Sequence, residues 1–419
     1  MLIENNQYSV IQKALLRFFL IYFILYIIPY GFEYIPIDTD DYSLWEPITI
    51  WFGETFLGWD FNLNRLAKGF DSKYDYSRFA LITVISFGAT LLWLLLDRLK
   101  AWEYNTRLKA ILQTILRYHL GFTLILYGMA KVFPLQFGTT GIDTLTTDFG
   151  DFRPMSLLWA FMSYSRFYTG VTGWVEVLGG LFLLFRKTTF LGIFLSFVAM
   201  VNVVVIDIGY DVTVKMFAMH LLIMAAILMA DHFNRVMNFL LLNREAKPLY
   251  YFNLFSGLPK VGMAMKIVVI AIFGYFTFTG TAERLNNETA NRYGAFSSTH
   301  HVEQMIINGD TLDASSFLSW KQMNISGRSY LSDQLTITTG LNSKKNFRFE
   351  MDSVEQTLTF KDLNVGSDVY EFSYQKTAGK RYLFKGTHLG DSIILQTKAK
   401  VADDYTLMSN KRRWIRDLR

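Results

Sequence analysis

Seven stretches of this chain are apolar over roughly the length a bilayer demands, and that feature constrains the fold more than any other. A helix rises about 1.5 Å per residue, so about 20 mostly apolar residues cross the hydrocarbon layer. The stretches run from Leu15 to Tyr30, Phe79 to Leu96, Ile111 to Val132, Phe167 to Phe185, Phe190 to Ile208, Val214 to Met229 and Val261 to Thr279. They imply about seven transmembrane helices in a polytopic α-helical bundle. Composition agrees: 18% of the residues are charged, against about 25% in a soluble domain. No small-residue cleavage site follows the first run, so it reads as a retained helix rather than a signal peptide. The chain has no cysteine, which excludes disulfides, thiolate catalysis and cysteine-ligated metal within it. A formal charge of +5 is too small to point to nucleic acid.

The loops alternate in charge. Lys13 and Arg17 open the first run, and an acidic loop with Glu33, Asp38, Asp40 and Asp41 follows it. Arg98, Lys100, Arg107 and Lys109 come next, then Asp143, Asp148 and Asp151, then Arg186 and Lys187, then Asp207 and Asp211, then Arg235, Arg244 and Lys247. Basic loops stay in the cytoplasm, so the N-terminus is expected inside and the C-terminal part outside. The loop from Phe32 to Asp75 carries Trp45, Trp51 and Trp59. It reads either as an interfacial helix or as a folded loop with aromatic packing. The stretch from His232 to Phe255 mixes apolar and basic residues and is expected along the cytoplasmic surface.

After Thr281 the pattern changes to short alternating runs: Leu335 to Thr338, Phe347 to Glu350, Thr357 to Phe360, Tyr370 to Tyr374, Arg381 to Phe384, Ser392 to Leu395 and Asp404 to Leu407. Alternation bounded by turn residues such as Asn308-Gly309 is the signature of strands, and their even spacing indicates an antiparallel sandwich or small barrel. Four segments result. Residues 1–110 hold an N-terminal helix pair and its long outer loop, and 111–230 a four-helix membrane core. Residues 231–281 hold a cytoplasmic interfacial segment and the last span, and 282–419 an extracytoplasmic all-β domain.

Ionisable side chains in a membrane are costly and call for a reason. Lys131 ends the third run, Glu176 lies inside the fourth, Asn202 and Asp207 are in the outer part of the fifth, and Asp211, Lys215 and His220 open the sixth. The alternating topology puts all seven at the outer level of the bundle. Two readings stand open. The cluster binds the headgroup of a lipophilic ligand such as a quinone, or handles protons; or it is a buried ion-pair network that fixes helix register and binds nothing. His220 is expected to make a helix–helix hydrogen bond, since no second histidine stands four residues away. Arg117 is expected to snorkel to headgroups, and Gly179-Gly180 to mark a close helix approach. No haem, metal or nucleotide motif is found. In the β-domain no catalytic triad order appears; His300-His301 reads as a solvated pair, Trp320, Trp414, Phe372 and Tyr374 as core or rim, and Lys411-Arg-Arg as a solvated run.

Arg117, Gly121 and Gly128-Met-Ala-Lys131, followed by Glu176-Val-Leu-Gly179-Gly180 in the next helix, resemble the DoxX-like family of bacterial integral membrane proteins. The resemblance covers roughly Leu116 to Met229. It implies a four-helix core in a bacterial cytoplasmic membrane and an accessory or quinone-linked subunit of a membrane redox system, with a redox or envelope protein as partner. It carries no catalytic residue onto this chain. The extra N-terminal helices and the β-domain depart from the small redox subunits. They leave open a non-catalytic envelope scaffold whose outer β-domain binds a partner, by strand addition at an open edge.

Overall fold

The structure is a computed structural model. It describes residues 8–28, 45–62, 70–99, 104–245, 252, 254–255, 257–289, 296–313, 315–316, 318–326, 334–362 and 369–409. Trp414 and the Lys411–Arg419 end lie outside these residues, as does the acidic stretch 33–41. The chain divides into two compact units. One comprises Met1–Phe137 and Pro154–Ala282, the other Gly138–Arg153 and Glu283–Arg419.

The first unit is helical: α1 (Val10–Ile27), α2 (Trp45–Leu57), α3 (Lys73–Leu99) and α4 (Asn105–Val132), then, past a short helix of the second unit, α5 (Ile142–Thr146), the helices α6 (Pro154–Tyr164), α7 (Arg166–Leu184), α8 (Thr189–Gly209), α9 (Lys215–Ala230), α10 (Phe233–Leu240) and α11 (Pro259–Thr289). A capping box starts α1: Gln12 N donates to Ser9 Oγ, and Ser9 N donates to Gln12 Oε1. The tryptophan-bearing loop contains the helix α2. Leu20 and Phe23 of α1, Leu116 and Leu120 of α4, Leu183 of α7, Met200 of α8 and Leu221 and Met224 of α9 form one buried core.

Five helices are long and apolar enough to cross a membrane: α1, α3, α7, α8 and α11. The pair α9 and α10, bent by 71°, makes a sixth if it is one span. The expected seventh, α4, has the length at 28 residues but is more polar, with Arg107, Lys109, Gln113, Arg117 and His119. It lies at the centre of the bundle, where Leu112, Leu116, Leu120 and Leu124 are all buried, so its neighbours take the place of lipid. Outward-facing Val84, Phe87, Leu92, Val205, Ile208, Ile267 and Phe278 cover the other helices. Such a surface belongs in hydrocarbon. The chain is a membrane protein.

The second unit is an antiparallel barrel with the segment Gly138–Arg153 added to it. Its strands are β1 (Thr299–Ile307), β2 (Asp310–Thr311), β3 (Trp320–Ser326), β4 (Gln334–Thr339), β5 (Lys344–Asp352), β6 (Thr357–Asp362), β7 (Val369–Lys376), β8 (Arg381–His388) and β9 (Asp391–Lys400). Neighbours pair in the order β1-β3-β4-β5-β6-β7-β8-β9, and β1 pairs with β9 to close the ring of eight. The two-residue β2 folds back on β1 through Asn308-Gly309, whose positive φ values of 52° and 94° make a type I′ turn. Bulges in β1 and β3 supply curvature. Met323, Ile325, Leu335, Ile337, Phe347, Phe349, Leu358, Phe360, Phe372, Phe384 and Leu395 fill the interior.

Two expectations change here. Closure between β1 and β9 leaves no long open edge among the described strands of the ring, so strand addition loses its template. The run Asp404 to Leu407 is not a strand. Residues Ala402–Asp404 form a single turn and Thr406–Ser409 the short helix α12. Asp404 accepts from Val401 N and Lys380 Nζ, which bends the chain out of the ladder.

Candidate functional site

Glycines set the geometry of the charge cluster. α4 and α7 run antiparallel with Gly121 opposite Gly180 and Gly128 opposite Gly173. A Cβ on Gly128 would stand 2.6 Å from the Gly173 carbonyl oxygen, one on Gly173 2.7 Å from that of Gly128, and one on Gly180 2.5 Å from that of Gly121. Only residues without a side chain permit this approach. Lys131 and Glu176 each follow a glycine of the pair by three residues, so both lie on the contact face. Lys131 Nζ donates to Glu176 Oε1, with the two side chains 10% and 5% exposed. Glu176 Oε2 is buried without a hydrogen-bond partner. α8 packs on the other side of α7, where a Cβ on Gly192 would lie 2.5 Å from Leu183 N.

The last turn of α8 brings in Asp207, only 7% exposed, with Oδ2 buried and unpartnered. The fields that reach it come from Lys131, then Asp71, Lys215 and Glu176. Asp71 is a member that sequence reasoning missed. It sits before α3 in a left-handed conformation with φ of 53°. Its carboxylate caps α9, accepting from Lys215 N at 2.8 Å and Met216 N at 3.0 Å. Lys215 Nζ donates to Asp211 Oδ1 at 2.8 Å and to the Val212 carbonyl at 3.0 Å, and lies 3.8 Å from Asp71 Oδ2. Asp211 is the solvent rim of this group, its side chain 80% exposed.

Asn202 does not join. It is exposed on α8, because five residues at about 100° each turn it roughly 140° away from Asp207. His220 is buried in a separate aromatic group. Its Nδ1 donates to the Met216 carbonyl at 2.6 Å, which fixes Nε2 of the neutral ring as an acceptor for Tyr22 OH at 2.7 Å. The Tyr26 ring stacks on it at 4.3 Å and Phe79 lies at 4.6 Å. This is a helix–helix hydrogen bond between α1 and α9. Tyr22 and Tyr26, spaced i and i+4 on the first apolar run, were the signal that could have found it.

Two other sequence readings are corrected. Arg117 does not snorkel. It is 8% exposed, and its Nε and Nη2 donate to the Leu183 carbonyl at 3.1 and 2.7 Å, capping the C-terminal end of α7, where a cation is favoured. His300 is not solvated. It is fully buried in the barrel between Ser298 Oγ at 3.1 Å and Thr397 Oγ1 at 3.2 Å, beside the Tyr382 ring. Burial pushes its pKa down to about 4. His301, the next residue, faces outward. Gly179-Gly180 is the close approach expected of it, Gly180 against α4 and Gly179 against Ser196 of α8.

Among the described residues no group of three or more His, Asp or Glu side chains is arranged to hold a metal ion. Chemically, the cluster offers hydrogen-bond acceptors in a low-dielectric setting and two lysines already engaged. In comparisons with known proteins, no family model matches the chain and no solved structure matches it. The chain is similar to the uncharacterized protein YwoB of Bacillus subtilis (strain 168), with 31% identity over 113 residues that make up 27% of this chain and 71% of that protein.

Proposed function

Since the chain belongs to the family of that Bacillus subtilis protein, whose description names no activity, we propose a function from the cluster itself: Lys131, Glu176, Asp207, Asp71 and Lys215 hold the polar headgroup of a lipophilic ligand, such as a quinone, within a membrane redox system. One observation carries this reading. Asp207 is nine-tenths buried, yet Oδ2 of its carboxylate has no hydrogen-bond partner, and the ammonium of Lys131 donates to Glu176 instead. A bundle that only needed register would pair this carboxylate or dispense with it. Burying an acceptor without a donor is costly, and a ligand's donor removes that cost.

The DoxX-like kinship is part of the same proposal. It is supported by the antiparallel α4–α7 pair that the quoted glycines bring together around Lys131 and Glu176. The charge alternation of the loops supports a cytoplasmic N-terminus and an extracytoplasmic barrel in a bacterial cytoplasmic membrane. The test is extraction. Protein purified in mild detergent is treated with organic solvent and the extract analysed by mass spectrometry. The expected result is one lipophilic molecule near one per chain, depleted in Asp207→Asn and Glu176→Gln preparations that keep a cooperative melt. Recovery of bulk phospholipid alone, or full occupancy in both variants, would refute the site.

A further inference from the structure

We infer that the helical unit binds an anionic phospholipid at the C-terminal end of α7, where Arg117, Arg186 and Lys266 converge on the lipid phosphate. The inference does not rest on the headgroup reading above: Arg117 stands about 21 Å along α4 from Lys131, at about 1.5 Å per residue.

Three parts of the chain bring the cations together. Arg117 of α4 donates to the Leu183 carbonyl in the last turn of α7. The Lys266 ammonium of α11 lies 4.6 Å from the centre of the Phe185 ring, at the residue that ends α7, and Arg186 follows in the chain. Packing holds α11 in this place. Phe273 stacks on Phe122 of α4 at 4.2 Å, with Ile270 and Tyr118 beside them. Lys266 is one turn before Ile270, and Tyr118 one turn before Phe122. The charges whose fields reach Lys266 are those of Arg117 and Arg186, and the same two guanidiniums act on Tyr118.

The helix end does not account for this much positive charge. A helix C-terminus carries about half a negative charge, and three carbonyls of this one are already bonded. Phe182 accepts from Thr188 Oγ1 at 3.0 Å, Leu183 from Arg117, and Phe185 from Thr188 N at 3.2 Å and Thr189 Oγ1 at 2.8 Å. Arg117 is explained by the cap; Lys266 and Arg186 are not. Asp97 and Asp231 are engaged elsewhere, with Arg17 and with Lys109 and Gln113. A lysine within an apolar run is costly, and two guanidiniums beside it add repulsion.

A phosphate diester removes that cost. It is a fixed anion whose oxygens suit guanidinium and ammonium donors, and basic sites between spans take such headgroups. The apolar half of the lipid has a place as well. Phe185, Leu181, Leu178 and Trp174 succeed one another at helical spacing and are all exposed, a stripe along which an acyl chain lies. A zwitterionic lipid brings its own ammonium to the three cations and is disfavoured.

The probes are dioleoyl-phosphatidylglycerol and dioleoyl-phosphatidylcholine, each titrated into full-length protein in detergent and read by native mass spectrometry. Phosphatidylglycerol is expected to bind about 10-fold or more tightly than phosphatidylcholine. Lys266→Met and Arg186→Gln should each weaken it about 5-fold, the contribution of one cation beside an anionic lipid, and leave phosphatidylcholine unchanged. Arg244→Gln removes an exposed cation beyond α10 and should alter neither affinity. Arg186→Gln changes an exposed side chain, so it reads the site even if Lys266→Met does not fold. Equal affinity for the two lipids, or a preference that Arg186→Gln and Arg244→Gln reduce alike, would overturn the site.

Discussion

The ammonium of Lys131 donates to Oε1 of Glu176 across the α4–α7 interface, and Oε2 of the same carboxylate is buried with no donor. A pair 10% and 5% exposed loses most of its hydration when it forms, so removing one member is worse than removing both. Lys131→Met or Glu176→Gln alone should destabilise the bundle by about 3–5 kcal/mol, and the double variant by clearly less than either. Chemical or thermal unfolding in detergent, run as a double-mutant cycle, measures the coupling. Additive losses would mean that the two charges do not depend on each other.

The glycine contacts give a matched comparison within one helix. Gly173 and Gly170 both lie in α7, but a Cβ on Gly173 meets the Gly128 carbonyl oxygen and Lys131 Cβ, while one on Gly170 has open space. Gly173→Ala should therefore cost about 1–3 kcal/mol through overpacking. Gly170→Ala should stabilise by about 0.5–1 kcal/mol through helix propensity. Melting of both variants against the parent protein checks the pair, and equal shifts would refute the close approach.

The helices were legible because length and apolar content are local properties, and strands β4 to β9 because one buried face enforces alternation. β1 and β3 were not. β1 changes register at a bulge between Val302 and Gln304, which breaks its period. β3 ends in four consecutive buried residues, Met323 to Ser326, because α5 covers its outer face through Thr146 and Asn324. That Lys131 and Glu176 belong to one cluster followed from depth and charge, but which lysine pairs with which carboxylate did not. Asp71 did not, since a carboxylate that caps a helix 144 residues later leaves no trace in local spacing. Asn202 was placed with the cluster by depth alone, and depth says nothing about which way a helix face turns.

The β8–β9 hairpin carries an avoidable cost. Leu389 and Gly390 form its two-residue turn with φ of 50° and 92°, and leucine is a poor left-handed residue. Its side chain is 83% exposed, so little packing would be lost on replacement. Leu389→Asn should stabilise the barrel by about 1 kcal/mol, read as slower hydrogen exchange of the β8 and β9 amides. A faster exchange would show that the leucine makes a contact worth keeping.

His300 should make the barrel sensitive to acid. It is held neutral by burial, with its pKa lowered from 6.5 to about 4 in the folded protein. The unfolded chain binds a proton below pH 6.5 that the folded barrel refuses until about pH 4, so the unfolded state holds more protons between these values. Stability is then fully present above pH 6.5, falls as pH drops through the window, and levels off below pH 4. The loss totals about 3 kcal/mol at 1.36 kcal/mol per unit. His300→Gln, which keeps a side chain able to reach Ser298 or Thr397, should be less stable at pH 7 but should flatten the curve between pH 4 and 6.5. Hydrogen exchange of the barrel amides, corrected for intrinsic rates at each pH, measures both curves in the full chain. An unchanged slope in the variant would assign the acid response to groups other than His300.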